Sequence, residues 1–248
     1  MKIVKINESQ KDRLLEARSE EFSLRELSSM KDTVEMVRYC FRTLGDPFSE
    51  GSSRMAFMLT DNLVLKLAYR RDGAGTAQNE AEYNVYRKYR DMGVTEYVTR
   101  ILMCDKEYRW LVSENAVPCE MIDFEKVFGI PYFNEYTQRT KDTDDGIGYD
   151  KYFDNLRGRY EHSDISFYEI LEYIHSEVIG DGEMYNPKVE RFIRGNRWLS
   201  GFRDFAIEAD VNDFCSYQNF GLVKRNGKDH IVLLDSGMNY EVWCNNYA

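Results

Sequence analysis

The sequence predicts an α+β protein: a small antiparallel sheet carrying one helix, followed by a mostly helical remainder. Three observations predict it. From Phe48 to Ala68 short apolar runs are broken by Gly51-Ser52-Ser53 and by Asp61-Asn62, which reads as three strands joined by tight turns. From Ala74 to Arg90 the period changes, and Val85, Tyr86 and Tyr89 fall on one helical face. Strand-like runs return at Tyr97–Cys104 and Tyr108–Glu114, helical spacing then dominates until Asn219, and short strands follow around Asn226-Gly227, a strong hairpin signal. With 248 residues, 43% hydrophobic and 31% charged, the chain can bury a core as one large domain or two small lobes.

Residues 1–45 are charged and helix-favouring. Leu14 and Leu15, then Leu24 and Leu27, then Val34, Val37 and Phe41 fit amphipathic helices, and this segment is expected to be a helical extension that caps the rest. Residues 46–116 hold the sheet. After the helix at 74–90, Tyr97–Cys104 and Tyr108–Glu114 read as two further strands around the turn Asp105-Lys106-Glu107. Residues 117–248 form the helical part. Asp142-Thr-Asp-Asp-Gly-Ile-Gly reads as an exposed loop. It lacks the alternating ligands and closing glutamate of a calcium loop. Ser166–Ile179 and Pro187–Asp210 read as helices, the second started by Asn186-Pro187. Asn219–Gly237 reads as two strands.

Composition excludes several functions. The formal net charge is −10 and the pI near 5.0, so direct nucleic-acid or anionic-membrane binding is not expected. Apolar runs such as Leu63–Ala68 are far too short to span a bilayer, and the N-terminus lacks the apolar run of a secretory signal. The five cysteines form no C-x-x-C pair, which points to a reducing, cytoplasmic setting without a zinc framework. The three histidines are scattered, which argues against a histidine metal site or a Ser-His-Asp triad.

One lysine carries the chemistry. Lys66 lies inside Leu63-Val-Leu-Lys-Leu-Ala, where an ammonium needs an anionic partner or a place at a sheet edge. Gly51-Ser52-Ser53 precedes it by one hairpin, and the amides and hydroxyls of such a turn can hold phosphate oxygens. No Walker loop is present. On the following helix Glu82 shares a face with Val85, Tyr86 and Tyr89, and a carboxylate on an apolar stripe calls for a cation. Glu80 is the alternative, on a more polar stripe with Asn84. Near the end, Asp235 closes the apolar run Ile231-Val-Leu-Leu and precedes Ser236-Gly237, with Asn219 one hairpin earlier. A carboxylate and an amide oxygen suit Mg²⁺.

In this order, Gly51-Ser-Ser-Arg-Met-Ala-Phe, Val64-Leu-Lys66-Leu-Ala, Gln78-Asn-Glu-Ala-Glu82, Trp110-Leu-Val-Ser-Glu114, Asp213…Asn219-Phe-Gly and Leu234-Asp235-Ser-Gly resemble the protein-kinase-like superfamily. The likeness is strongest to small atypical kinase-like proteins of bacteria and phages, and more distant to aminoglycoside phosphotransferases. It implies a two-lobed fold, with a small antiparallel-sheet N-lobe at 46–116 and a truncated, mostly helical C-lobe at 117–248. It implies that Gly51, Ser52 and Ser53 cover nucleotide phosphates, that Lys66 binds phosphate oxygens and is held by Glu82, and that the hinge around Glu114 offers backbone groups to adenine. It implies Asp213 as the base for an attacking hydroxyl, with Asn219 and Asp235 on Mg²⁺. Arg54 is expected near the phosphates, or else as a solvated strand arginine. The chain departs from the family at the catalytic loop. Asp213 and Asn219 are six apart, one more than usual, and Val211-Asn212 replaces the expected histidine or arginine, so Asp210 stays an alternative base. The implied activity is an ATP- and Mg²⁺-dependent phosphotransferase of open acceptor. Two alternatives remain: a catalytically silent kinase-like module, phage-encoded, that binds a protein partner through aromatic clusters such as Tyr132-Phe-Asn-Glu-Tyr and Tyr149-Asp-Lys-Tyr-Phe, and a nucleotidyl transferase on the same fold.

Overall fold

The computed structural model describes residues 22–70, 72–133, 165–181 and 185–246. The expected helix at Leu14 and Leu15, the loop at Asp142–Gly148, Arg71, and the clusters around Asn134–Tyr136 and Tyr149–Phe153 lie outside the described residues. The chain divides into two units, one made of Met1–Gly93, Thr99–Asn115 and Glu241–Ala248, the other of Val94–Val98 and Ala116–Tyr240. Both are α+β.

The first unit is built on a five-stranded antiparallel sheet. Its strands are β1 (Ser49–Glu50), β2 (Arg54–Thr60), β3 (Leu63–Ala68), β4 (Ile101–Cys104) and β5 (Trp110–Glu114), in the order β1-β2-β3-β5-β4. Its helices are α1 (Leu24–Ser29), α2 (Thr33–Leu44), α3 (Ala74–Asp91) and, at the end of the chain, α8 (Tyr240–Asn246). The period of two sorts the strand residues. Phe57, Leu59, Leu65, Leu67, Trp110 and Val112 join Leu24, Leu27, Met36, Tyr39 and Cys40 in one buried cluster. The helices α1 and α2 therefore cover one sheet face. Alternate residues, Ala56, Lys66, Ala68 and Leu111 among them, belong to the opposite face.

Side chains stop and start the front helices. Ser23 Oγ accepts from Glu26 N at 3.3 Å and Asp32 Oδ1 from Val34 N at 2.9 Å, the N-caps that begin α1 and α2. The end of α1 is closed from elsewhere: Arg109 donates to Met30 O at 2.5 Å and Ser28 O at 3.3 Å while held by Asp105. The buried stripe of α2 is Met36, Tyr39 and Cys40, whereas Phe41 is exposed. Of the expected stripe, Val37 packs partly buried against the core, and Phe41, though exposed, meets the Phe57 ring edge-on at 5.7 Å. Tyr39 decides the rotation, because its hydroxyl accepts from Ser23 N at 2.7 Å and donates to Glu26 at 3.3 Å.

The second unit carries a three-stranded sheet, β6 (Val117–Pro118), β7 (Phe220–Arg225) and β8 (Lys228–Leu233), in that order. Its helices are α4 (Met121–Phe128), α5 (Phe167–Val178), α6 (Pro187–Gly195) and α7 (Arg197–Ala209). The β7–β8 turn has Asn226 at φ 54° and Gly227 at φ 76°, the left-handed pair that a two-residue hairpin needs. Its core is aromatic. Phe124, Phe167, Phe202, Phe214 and Phe220 are fully buried, and Tyr97 stacks on Phe205 at 5.5 Å and meets Trp198 edge-on at 5.5 Å. The single helix expected over Pro187–Asp210 is two. Asn196 leaves helical geometry (φ −112°, ψ 111°), ends α6, and caps α7 by accepting from Trp198 N and Leu199 N. An asparagine that bonds two amides of the next turn competes with helix continuation.

Candidate functional site

The first constellation lies in the sheet unit, between β3 and α3. Lys66 Nζ donates to Glu82 Oε1 at 2.6 Å, with side chains 15% and 1% exposed. Glu80 is exposed, so the apolar stripe does carry the partner. Glu82 holds a second cation as well: Arg54 Nη1 donates to Glu82 Oε2 at 2.7 Å and to Asn79 Oδ1 at 2.9 Å. The solvated-strand alternative for Arg54 is not what the structure shows, since its side chain is 9% exposed. Ser53 is buried too, and its hydroxyl donates to Gln78 Oε1 at 2.7 Å.

The turn before β2 is fastened at several points. Gly51 N donates to Arg54 O at 2.9 Å, Tyr69 N to Ser53 O at 3.1 Å, and the Tyr69 hydroxyl to Gly51 O at 2.9 Å. Gly51 and Ser52 are exposed. Close approach explains one glycine of α3: a Cβ on Gly75 would lie 2.5 Å from Ser53 O and 2.8 Å from Ala68 Cβ. Only a residue without a side chain lets the helix sit directly on the turn and on β3. Glu114, at the end of β5, accepts from Arg100 N and donates its own N–H to Arg100 O, each at 2.8 Å. This segment of the unit ends one residue later, at Asn115.

The second constellation lies in the helical unit, where β7 and β8 bring Asn219 and Asp235 together. Leu234 N donates to Asn219 O at 2.8 Å, which continues the hairpin register by one pair. Asn219 Nδ2 donates to Asp213 Oδ1 at 2.6 Å and to Asp213 O at 3.1 Å, which leaves the amide oxygen as its cation-binding end. Asp235 Oδ1 accepts from Gly237 N at 3.3 Å. The Asp213 loop is also tied to the strand exit, by Asn212 N donating to Met238 O at 3.2 Å and by a bridge between Val211 and Asn239. Asp213 is exposed as a residue, yet the surrounding protein and the Asp235 charge raise its carboxyl above the usual range, with the Asn219 hydrogen bond and His175 opposing. Asp210 is elsewhere in role: it caps α7 in the left-handed conformation, φ 52°, exposed.

One residue of this group was missed. His175, on α5, meets the Phe214 ring edge-on at 5.7 Å and hydrogen-bonds the backbone of Asn212. Burial pulls its pKa down, while Glu172, Asp213 and that hydrogen bond oppose. A histidine so far along the chain from Asp213 carries no local spacing signal. A basic side chain does therefore stand beside the loop that lacks one in sequence.

The donors fit a hard cation. Asp235 supplies a carboxylate, Asn219 an amide oxygen, and the mutual repulsion of Asp213 and Asp235 is what a divalent ion relieves. Among the described residues no group of three or more His, Cys, Asp or Glu side chains could hold a metal by itself. Substrate phosphates and water would have to complete the shell, the usual habit of Mg²⁺.

No protein-family model matches the chain, and no curated protein is similar to it. Among solved structures, the chain is similar to the streptomycin–ATP–APH(2")-IIa ternary complex, with 12% identity, 84% of this chain and 71% of that one covered, and a TM-score of 0.34. It is similar also to the gentamicin–APH(2")-IIa complex, with 10% identity, the same coverage and a TM-score of 0.31. No helix among the described residues is long and apolar enough to cross a membrane.

Proposed function

We propose that the protein is an ATP- and Mg²⁺-dependent phosphotransferase of protein-kinase-like architecture. The observation that carries this reading is the buried pair of Lys66 on a strand and Glu82 on the following helix, at 2.6 Å, next to a turn of Gly51, Ser52 and Ser53. Burying an ion pair adds little net stability over apolar packing, so the pair is better explained by what Lys66 can bind. In this reading Glu82 holds Lys66 extended toward phosphate oxygens, the Gly51–Ser53 turn covers them, and the segment at Glu114 borders the adenine. Asn219 and Asp235 would hold Mg²⁺, which would supply charge neutralisation to the phosphates. Asp213, oriented by the Asn219 amide at 2.6 Å, takes the proton of the attacking hydroxyl. Positioning and charge do the work, without a covalent enzyme intermediate.

Cys40 and Cys119 are buried and Cys215 is half-buried, and burial pushes all three thiols up to about 12.

Isothermal titration with ATP, with and without Mg²⁺, tests the reading. Binding is expected to need the cation and to be lost in both Lys66→Ala and Asp235→Ala, while both variants keep the parent circular dichroism. An Asp235→Ala protein with the parent's Mg²⁺ dependence would remove that residue from the metal. Absence of ATP binding in the parent would favour the silent, partner-binding alternative, and AMP rather than phosphate on a modified target would favour nucleotidyl transfer.

A further inference from the structure

We propose that Arg54 is a positioning residue for Lys66, acting through Glu82 rather than on a ligand. A glutamate side chain has several rotatable bonds, and one ion pair leaves its carboxylate free to re-form that pair from either oxygen. Here each oxygen is assigned: Oε1 takes Lys66 at 2.6 Å and Oε2 takes Arg54 Nη1 at 2.7 Å. The same Nη1 donates to Asn79 Oδ1 at 2.9 Å, and Asn79 Nδ2 donates to Tyr108 O at 2.8 Å in the β4–β5 turn. The carboxylate is thereby fixed at its far end, and its near oxygen points one way, at β3.

The sheet register makes this possible. Ala56 stands opposite Lys66, and Arg54 opposite Ala68, so both cations rise from one face with alanines beside them. Small residues there, and Gly75 above, let α3 come close enough for one carboxylate to reach both. Arg54 also follows Ser53, whose hydroxyl holds Gln78. The turn and Lys66 are thus both referenced to α3. The functional meaning rests on the phosphotransferase reading above; the geometric claim does not.

Two measurements separate them. The first is the acetylation rate of Lys66 in the ligand-free protein, followed by peptide mass spectrometry. Arg54→Gln should speed modification of Lys66 roughly tenfold with the other lysines unchanged. Arg54→Lys should restore protection, because a single ammonium, like the single Nη1, can donate to both Glu82 and Asn79. Unchanged protection in Arg54→Gln overturns the proposal. The second is ATP affinity across a double-mutant cycle. Arg54→Gln should weaken binding roughly tenfold, and should cost nothing further once Glu82→Gln is present. Additive losses would mean that Arg54 touches the nucleotide itself, and would overturn action through Glu82. A parent that binds no ATP overturns the phosphotransferase reading alone, and the acetylation rates then decide the role of Arg54.

Discussion

Asp213 and Glu82 are both acidic side chains of a candidate site, and their surroundings treat them oppositely. Glu82 is surrounded by two cations. Asp213 faces another carboxylate, which the Asn219 amide and the His175 imidazole compensate only in part. The folded pKa of Asp213 is raised, so folding favours its protonated form. That contribution to stability is present below the ordinary aspartate value and is lost as pH rises through the raised one. At neutral pH the charged group is a net cost of folding. Asp213→Asn is therefore expected to raise the melting temperature slightly at pH 7, by removing the repulsion with Asp235. The same change should lower phosphoryl transfer by about 10²-fold or more, as loss of a general base does. A lower melting temperature together with full transfer would remove Asp213 from the role of base.

At the scale of the element, α3 decides the site, because one helix face holds Gln78, Asn79 and Glu82, all buried. Its seating depends on Gly75. An added methyl would meet the backbone carbonyl of Ser53 at 2.5 Å, and a backbone atom cannot swing aside. Gly75→Ala should destabilise the protein by about 1–3 kcal/mol through overpacking, read in urea unfolding, and should weaken ATP binding because the shift moves Glu82 with the helix. The same substitution at Gly129, where a Cβ meets nothing within 4 Å, is a control for backbone strain alone. One helix start was legible from its cap, since Asn186 precedes α6 and accepts from its first amides; Ser166 and Asp32 cap α5 and α2 in the same way. The break at Asn196 was not legible, because its signal is a single residue inside a strongly amphipathic run.

At the scale of the molecule, the helical unit is pinned by a second charge network. Glu190 is buried and accepts from Tyr173 at 3.0 Å, from Arg203 at 3.1 Å and from Arg194. Burial alone would raise its pKa, but these hydrogen bonds and the charges of Arg203 and Arg194 outweigh burial and hold it low. A depressed folded pKa gives stability that is present above the ordinary glutamate value and is lost as pH falls through the folded one. Glu190→Gln should therefore cost about 2 kcal/mol at pH 7, and the gap to the parent should close below about pH 4. Chemical denaturation across that range checks it, and a gap independent of pH would show that Glu190 acts by packing alone.

The sequence by itself pointed to the strands of the sheet unit, the β7–β8 hairpin, the starts of α1, α2, α3, α5 and α6, and a strand lysine that needs a carboxylate from the next helix; it did not announce β6, α4 or α8. These follow from local rules: the period of two or 3.6, the cap residues, and the cost of an unpartnered charge on an apolar stripe. Only the tertiary structure decided which groups meet across long separations. It chose Glu82 over Glu80 for Lys66, placed Arg54 on the far oxygen of Glu82, brought His175 to the Asp213 loop, and required Gly75 at a close approach. Such contacts join residues through strand register and helix seating, which no short stretch of chain encodes. Arg54 was legible as a charge near the turn; that it serves another side chain could be read only once β2, β3 and α3 were in place.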